Sequence, residues 1–244
     1  STSRPHAYFT PMTSSPPTCA NWTARVRPER RAFAGRYVRL EPLDAGRHGA
    51  DLFAAGSGPE AARLWRYLPE APLSASGFEE WLAKAGKSAD PLFFAAVDQA
   101  THRAEGRLAL MRIDPAHGVI EIGHVLYGPR FARTRAATEA VHLLGCYVFD
   151  ALHYRRLEWK CNALNAPSRR AALRFGFTLE GVFRQHMVVK GENRDTAWFS
   201  LLDHEWPRVR RGLEQWLAPS NFDDAGRQRM RLSECMAALT PGGG

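Results

Sequence analysis

The stretch from Glu158 to Gly181, EWKCNALNAPSRRAALRFGFTLEG, constrains the fold more than any other part of the chain. Leu157, Trp159 and Cys161 alternate with polar residues, the pattern of a half-buried strand. Asn162 and Asn165 supply amides for a turn, and Pro167 stands where a helix opens and no backbone donor is needed. The spacing predicts a short helix from Ser168 to Phe175, closed by Gly176 as a left-handed C-cap, and then another strand. Such a unit places Asn and Ser side chains at the open end of a sheet, where α/β proteins hold ligands.

The same patterning extends in both directions. Arg36 to Leu40 alternates as a strand, and helices are expected around Gly46–Ala55, Glu60–Tyr67 and Phe78–Ala85. Strands follow over Leu92–Asp98, Gly106–Ile113 and Val119–Tyr127. A long helix is expected from about Ala136 to Leu152, with Val141, Leu144, Val148 and Leu152 facing the sheet. The late strands are Leu157–Cys161, Phe177–Arg184 continuing through Val189, and Thr196–Asp203, with Gly191-Glu192-Asn193 turning between the last two. So short a turn permits only antiparallel pairing there, which makes the α/β (α+β) sheet a mixed one. Lys190 to Asp195 reads as a solvated hairpin tip, with substrate guidance as the other reading. Beyond Pro207, Val209, Leu213, Trp216 and Leu217 mark an amphipathic helix, with a second short one near Met230 and Leu232.

Three segments result. Residues 1–30 are rich in Ser, Thr and Pro and read as a disordered tail, with Met12 a candidate native start. Residues 31–207 form one α/β domain, and residues 208–244 a helical extension with a frayed end. A formal charge of +8, mostly from arginine, suits a protein that handles anions. The four cysteines lack C-x-x-C spacing and read as thiols rather than metal ligands or disulfides. No apolar run reaches membrane-spanning length and no secretory leader is evident, so the cytoplasm is the default location.

The run Asn162-x-x-Asn165-x-x-Ser168, then Gly176-Phe177-x-x-Glu180-Gly181, with EIGHVLY and TRAATEA upstream, resembles the GNAT-superfamily N-acetyltransferases. The branch most similar is that of the ribosomal-protein N-terminal acetyltransferases, and the resemblance covers Gly35 to Pro207. It implies a mixed, mostly antiparallel central sheet flanked by helices. Two parallel strands, Val119–Tyr127 and Leu157–Cys161, would splay apart around acetyl-CoA, the co-substrate. The pyrophosphate would rest on the loop Arg130 to Ala137, where unpaired N–H groups and a helix dipole attract anions. Where the family has Gln/Arg-x-x-Gly-x-Gly/Ala, this chain has Arg130-x-x-Arg133-x-Arg135, unless a one-residue slip gives the glycine positions to Thr134 and Ala136. Arg133 and Arg135 are candidates to compensate through charge-assisted phosphate contacts, against the alternative of an exposed helix start. Asn165 is the candidate for the pantetheine arm, as an N-cap, or as both.

The resemblance also assigns chemistry. Ser168 is the candidate proton donor to the departing sulfur, or else a helix-start serine. A backbone N–H near His124 or Val125 would polarise the thioester carbonyl, and Gly123 is compatible with a bulge there. Glu121 is ranked ahead of His124 as general base. Their odd separation puts them on opposite strand faces unless a bulge intervenes, and a water chain is a further route. An α-amine, with a pKa of about 7.7–8.0, is far more often neutral near pH 7.5 than a lysine at about 10.4, so a weak base favours protein N-termini or small-molecule amines. Trp65, Tyr67 and Trp81 fall where relatives form the acceptor pocket and read as core aromatics first. A non-catalytic acyl-CoA-binding or regulatory module is the alternative, and a ribosome- or RNA-associated protein ranks last. The sequence carries no signal of oligomeric state.

Overall fold

The computed structural model describes residues 19–238. Its strands are β1 (Phe33–Ala34), β2 (Val38–Pro42), β3 (Leu92–Asp98), β4 (Ala104–Asp114), β5 (Val119–Tyr127), β6 (Arg156–Asn162), β7 (Thr178–Val189) and β8 (Glu192–Leu202). They form one sheet in the order β1-β2-β3-β4-β5-β6-β8-β7, in which only β5 and β6 are parallel. Between β2 and β3 lie helices α1 (Ala45–Gly56), α2 (Ala61–Trp65) and α3 (Ala75–Ala85). Helix α4 (Arg135–Gly145) joins β5 to β6, α5 (Ala166–Arg174) joins β6 to β7, and α6 (Trp206–Leu217) and α7 (Leu232–Ala237) follow the sheet.

Strand alternation sorts the two faces. Leu108, Leu110, Ile120, Ile122, Leu157 and Trp159 point into a core shared with α4, α6 and α7. Val141, Leu144, Val148 and Leu152 all lie in that core, as their spacing predicts. Beyond Gly145 the helix widens into a π-helical segment, Cys146–Ala151, a change in winding that apolar spacing does not encode. Phe93, Ala95, Ala109 and Leu126 face the other way, onto Leu52, Phe78 and Leu82 of α1 and α3.

Three expectations are corrected. Strand β2 starts at Val38, not Arg36: Arg36 and Tyr37 give their N–H groups to the Glu139 carboxylate (2.8 and 2.6 Å), and pairing with β3 begins only at Val38. The hairpin between β7 and β8 turns at Lys190-Gly191, both with positive φ (50° and 78°), a two-residue turn that lets β8 begin at Glu192. Its tip is docked: Lys190 Nζ donates to the carbonyls of Trp65, Arg66 and Glu70 (2.9, 3.1 and 3.2 Å), around the end of α2. Finally, residues 19–30 are held on the domain. Trp22 Nε1 donates to Ala116 O (2.7 Å), Tyr154 Oη to Val26 O (3.0 Å), and Glu29 N to Tyr147 Oη (2.9 Å). Aromatic anchors, several of them on the body, replace the apolar periodicity this segment lacks. The expectations for Ser1 to the region of Met12, and for the Pro241 terminus, lie outside the described residues.

Candidate active site

The parallel ladder between β5 and β6 covers Val119–Ile122 against Arg156–Trp159 and then stops, although both strands continue. The cause lies on the other side of β5. Gly123 pairs with Ala109 and Leu126 with Arg107, so His124 and Val125 together oppose Leu108. This bulge holds His124 at a φ of 51° and bends β5 away from β6. A wedge opens between the two strands, with ladder groups of β5 and β6 freed from each other. Val125 is half-buried and packs toward the α4 core.

At one end of the wedge stands the start of α4. Thr134 is the N-cap: its Oγ1 takes the Ala137 N–H (3.2 Å) and donates to Phe131 O (2.7 Å). The first-turn N–H groups of Arg135 and Ala136 have no intrahelical acceptor by position. Arg133 has a φ of 67°, the left-handed backbone that glycine usually supplies. The loop therefore keeps a glycine-like path at Arg133, which fits the ungapped alignment. The Arg135 guanidinium lies over Tyr37 (4.4 Å) and Phe222 (5.1 Å). Arg130 reaches Glu105 (3.3 Å). Arg174, not singled out in the sequence, comes to the first turn of α4, where Nη1 donates to Thr138 Oγ1 (3.0 Å). Ala136 and Ala137 are buried at the helix start.

Across the wedge, Asn165 caps α5 by accepting the Ser168 N–H (3.1 Å). Its amide N–H groups are not used in that bond. Ser168 Oγ accepts from Trp159 Nε1 (2.9 Å), and burial pushes the nearby Cys161 thiol up. Tyr67 Oη donates to Leu164 O (3.3 Å), tying the segment after α2 to the β6–α5 turn.

The bulge changes the register of side chains along β5. Glu121 and His124 both project to the face that carries α1 and α3, the condition under which they share a side. Their surroundings differ. Glu121 is buried against Lys160 (3.0 Å) and Arg112 (3.3 Å), and Lys160 also meets Glu158 (2.7 Å) and lies over Trp198 (4.0 Å). Burial raises the Glu121 pKa, opposed by the Lys160 and Arg112 charges. His124 packs against Phe93 (5.1 Å between ring centres), and burial followed by the Arg107 charge lowers its pKa, keeping it neutral. Arg107 itself is buried and donates from Nη1 to the His124 carbonyl (3.1 Å).

The matched family model, described as an acetyltransferase (GNAT) domain, covers residues 38–178. A GCN5-related N-acetyltransferase from Brucella melitensis is 59% identical, with a TM-score of 0.88, over 89% of this chain and 99% of that one. Among curated proteins, N-acetyltransferase p20 of Bacillus licheniformis, itself uncharacterized, is 33% identical over 46% of this chain and 63% of its own length. The "Putative ribosomal N-acetyltransferase YdaF" of Bacillus subtilis is 31% identical over 41% of this chain and 55% of its own. The match thus spans less than two thirds of these curated relatives. A wedge between parallel strands, a capped helix start and a bulged central strand occur here inside that matched region, and the chain belongs to the GNAT acetyltransferase family.

Proposed function

We propose that the protein transfers an acetyl group from acetyl-CoA to a primary amine, by direct attack of the amine on the thioester. The observation that carries this reading is the ladder between β5 and β6 that ends at Ile122 and Trp159 in front of the Thr134 helix cap. Acetyl-CoA would supply an activated acetyl group there. Backbone N–H groups at Arg135 and Ala136, with Arg133 and Arg174, are the groups suited to the phosphates. Asn165, through its amide, suits the pantetheine arm. Backbone N–H groups at the bulge, at His124 and Val125, would stabilise charge on the carbonyl oxygen.

Ser168 would give its hydroxyl proton to the leaving sulfur, its oxygen already accepting from Trp159 Nε1 (2.9 Å). His124 is the better base, because a neutral imidazole accepts a proton, whereas Glu121 is committed to Lys160 and Arg112. A protein N-terminus or a small-molecule amine is the acceptor class that suits a base of this strength. The name of the B. subtilis relative points the same way.

Calorimetric titration with acetyl-CoA and with free CoA, followed by thiol release in the presence of amines, tests the reading. Saturable binding and amine-dependent thiol release are expected. Binding without turnover would move the weight to a non-catalytic acyl-CoA module, and no binding would overturn both.

A further inference from the structure

The family match ends at residue 178, so α6, α7 and the segment joining them lie beyond it. This extension is bonded to the domain. Tyr37 Oη donates to Leu217 O (2.9 Å), and Leu232, Cys235 and Met236 of α7 are buried in the core that α4 shares. From α6 it also reaches the first turn of α4. The Arg174 guanidinium lies over Trp216, 4.8 Å from the ring centre, while its Nη1 donates to Thr138 Oγ1 (3.0 Å).

The indole is itself fixed. Trp216 Nε1 donates to Gln228 Oε1 (2.9 Å), and Phe222 meets the ring edge-on (5.2 Å). Asn221 closes the loop that carries Gln228: its Nδ2 donates to the carbonyls of Trp216 (2.9 Å) and Met230 (3.2 Å), and its Oδ1 accepts the Met230 N–H (2.8 Å). A guanidinium laid on a ring presents its N–H donors at the edge of its plane. Thr138 Oγ1 is the one hydrogen-bond partner of Arg174 among the described residues, and no carboxylate there pairs with it. Its charge is thus held uncompensated beside a helix start. A long side chain already immobilised in the free protein loses little freedom when it grips a ligand.

We propose that Trp216 is a positioning residue for coenzyme binding: it holds the Arg174 guanidinium against the first turn of α4, ready to donate to a phosphate oxygen of acetyl-CoA. This rests on the acetyl-transfer reading. The extension beyond the matched region would then set coenzyme affinity without touching the coenzyme.

The test is a double-mutant cycle on the calorimetric Kd of acetyl-CoA, using Arg174→Met, Trp216→Leu and the two combined. Arg174→Met should weaken binding about 30-fold, the effect of losing one charged hydrogen bond. Trp216→Leu should weaken it about fivefold when Arg174 is present, and not at all in the Arg174→Met background. Trp216→Phe keeps an aromatic face and should recover most of the affinity. Urea midpoints are measured alongside, because a merely structural role would lower the midpoint and cost affinity equally in both backgrounds. Should Trp216→Leu fail to fold, Gln228→Ala at an exposed position releases the indole N–H. It should weaken binding about twofold, again only with Arg174 present. Equal losses in both backgrounds, no loss in Trp216→Leu, or full affinity in Arg174→Met would overturn the positioning role while leaving acetyl-CoA binding standing. No binding of acetyl-CoA by the wild type would overturn the acetyl-transfer reading as well.

Discussion

The carboxylate of Glu139 lies against Gly35 so closely that a methyl group added there would overlap it. From that position its two oxygens take the N–H groups of Arg36, Tyr37 and Val38 (2.8, 2.6 and 2.9 Å). One buried side chain on α4 thus starts strand β2, more than a hundred residues earlier in the chain. Gly35→Ala should cost about 1–3 kcal/mol by overpacking. Glu139→Gln should cost about 2 kcal/mol, because charge-assisted bonds to three donors weaken. Urea denaturation of both variants measures this, and an unchanged midpoint for Gly35→Ala would contradict the fit.

Arg133 and Arg135 should respond in opposite ways. Arg133 occupies left-handed backbone, so Arg133→Gly should stabilise the fold by about 1 kcal/mol by relieving that conformation. The same change removes a cation from the proposed phosphate loop and should weaken acetyl-CoA binding about tenfold. Arg135→Ala removes a guanidinium that lies over Tyr37 and Phe222. It should lower stability by about 0.5–1 kcal/mol and leave acetyl-CoA affinity unchanged. Thermal melts and calorimetry on the two variants separate the roles; an affinity loss in Arg135→Ala would reverse the assignment.

His124 should leave a mark on the acid limb of the pH profile. Its pKa is lowered from 6.5, first by burial and then by Arg107 on β4, while the charge of Glu70 from the segment after α2 acts in the opposite direction. The folded protein therefore resists protonating it where the unfolded chain would bind a proton. The stability this contributes is complete above 6.5 and is lost as pH falls from there through the folded pKa. Turnover should follow: kcat/KM falls on the acid side below 6.5, and His124→Gln should abolish that limb while lowering the plateau about 10²–10⁴-fold. A limb that survives in His124→Gln would assign the base to another group.

Glu121 gives a contrasting prediction. Replacing Lys160 by Met would leave Glu121 and Glu158 buried without their shared cation, at a cost of about 3–5 kcal/mol. Glu121→Gln should be milder in stability and nearly neutral in kcat. A hundredfold loss of kcat in Glu121→Gln, with unfolding unchanged, would restore Glu121 as the base.

What the sequence made legible is what local pattern determines. Strands β3 and β5 fall where their apolar patterns place them, and α4 with the π-helical segment after it turns Val141, Leu144 and Val148 into the core. The bulge was readable only as a condition attached to Gly123. In the structure the strained residue is His124, whose φ no pattern reports. The contact of Arg135 with Tyr37 and Phe222 was not legible, because they lie some ninety-odd residues before it and almost ninety after it. Arg107 escaped notice for a related reason: a buried arginine within a strand looks in sequence like an ordinary exposed one. Trp65 and Trp81 do pack as core aromatics, and the same rings form the wall beneath that guanidinium.

The short ladder between β5 and β6 has a mechanical consequence. Four residue pairs, Val119–Ile122 against Arg156–Trp159, make up the ladder that joins strands β1–β5 to strands β6–β8. The sheet behaves as two plates riveted along one edge, and the angle between them is set by helices rather than by backbone bonds. Trp206 of α6 presses on α4 so tightly at Gly145 that no side chain fits between them. That contact sits at the opposite end of α4 from the Thr134 cap, where a change in bulk would act on the helix as a shim.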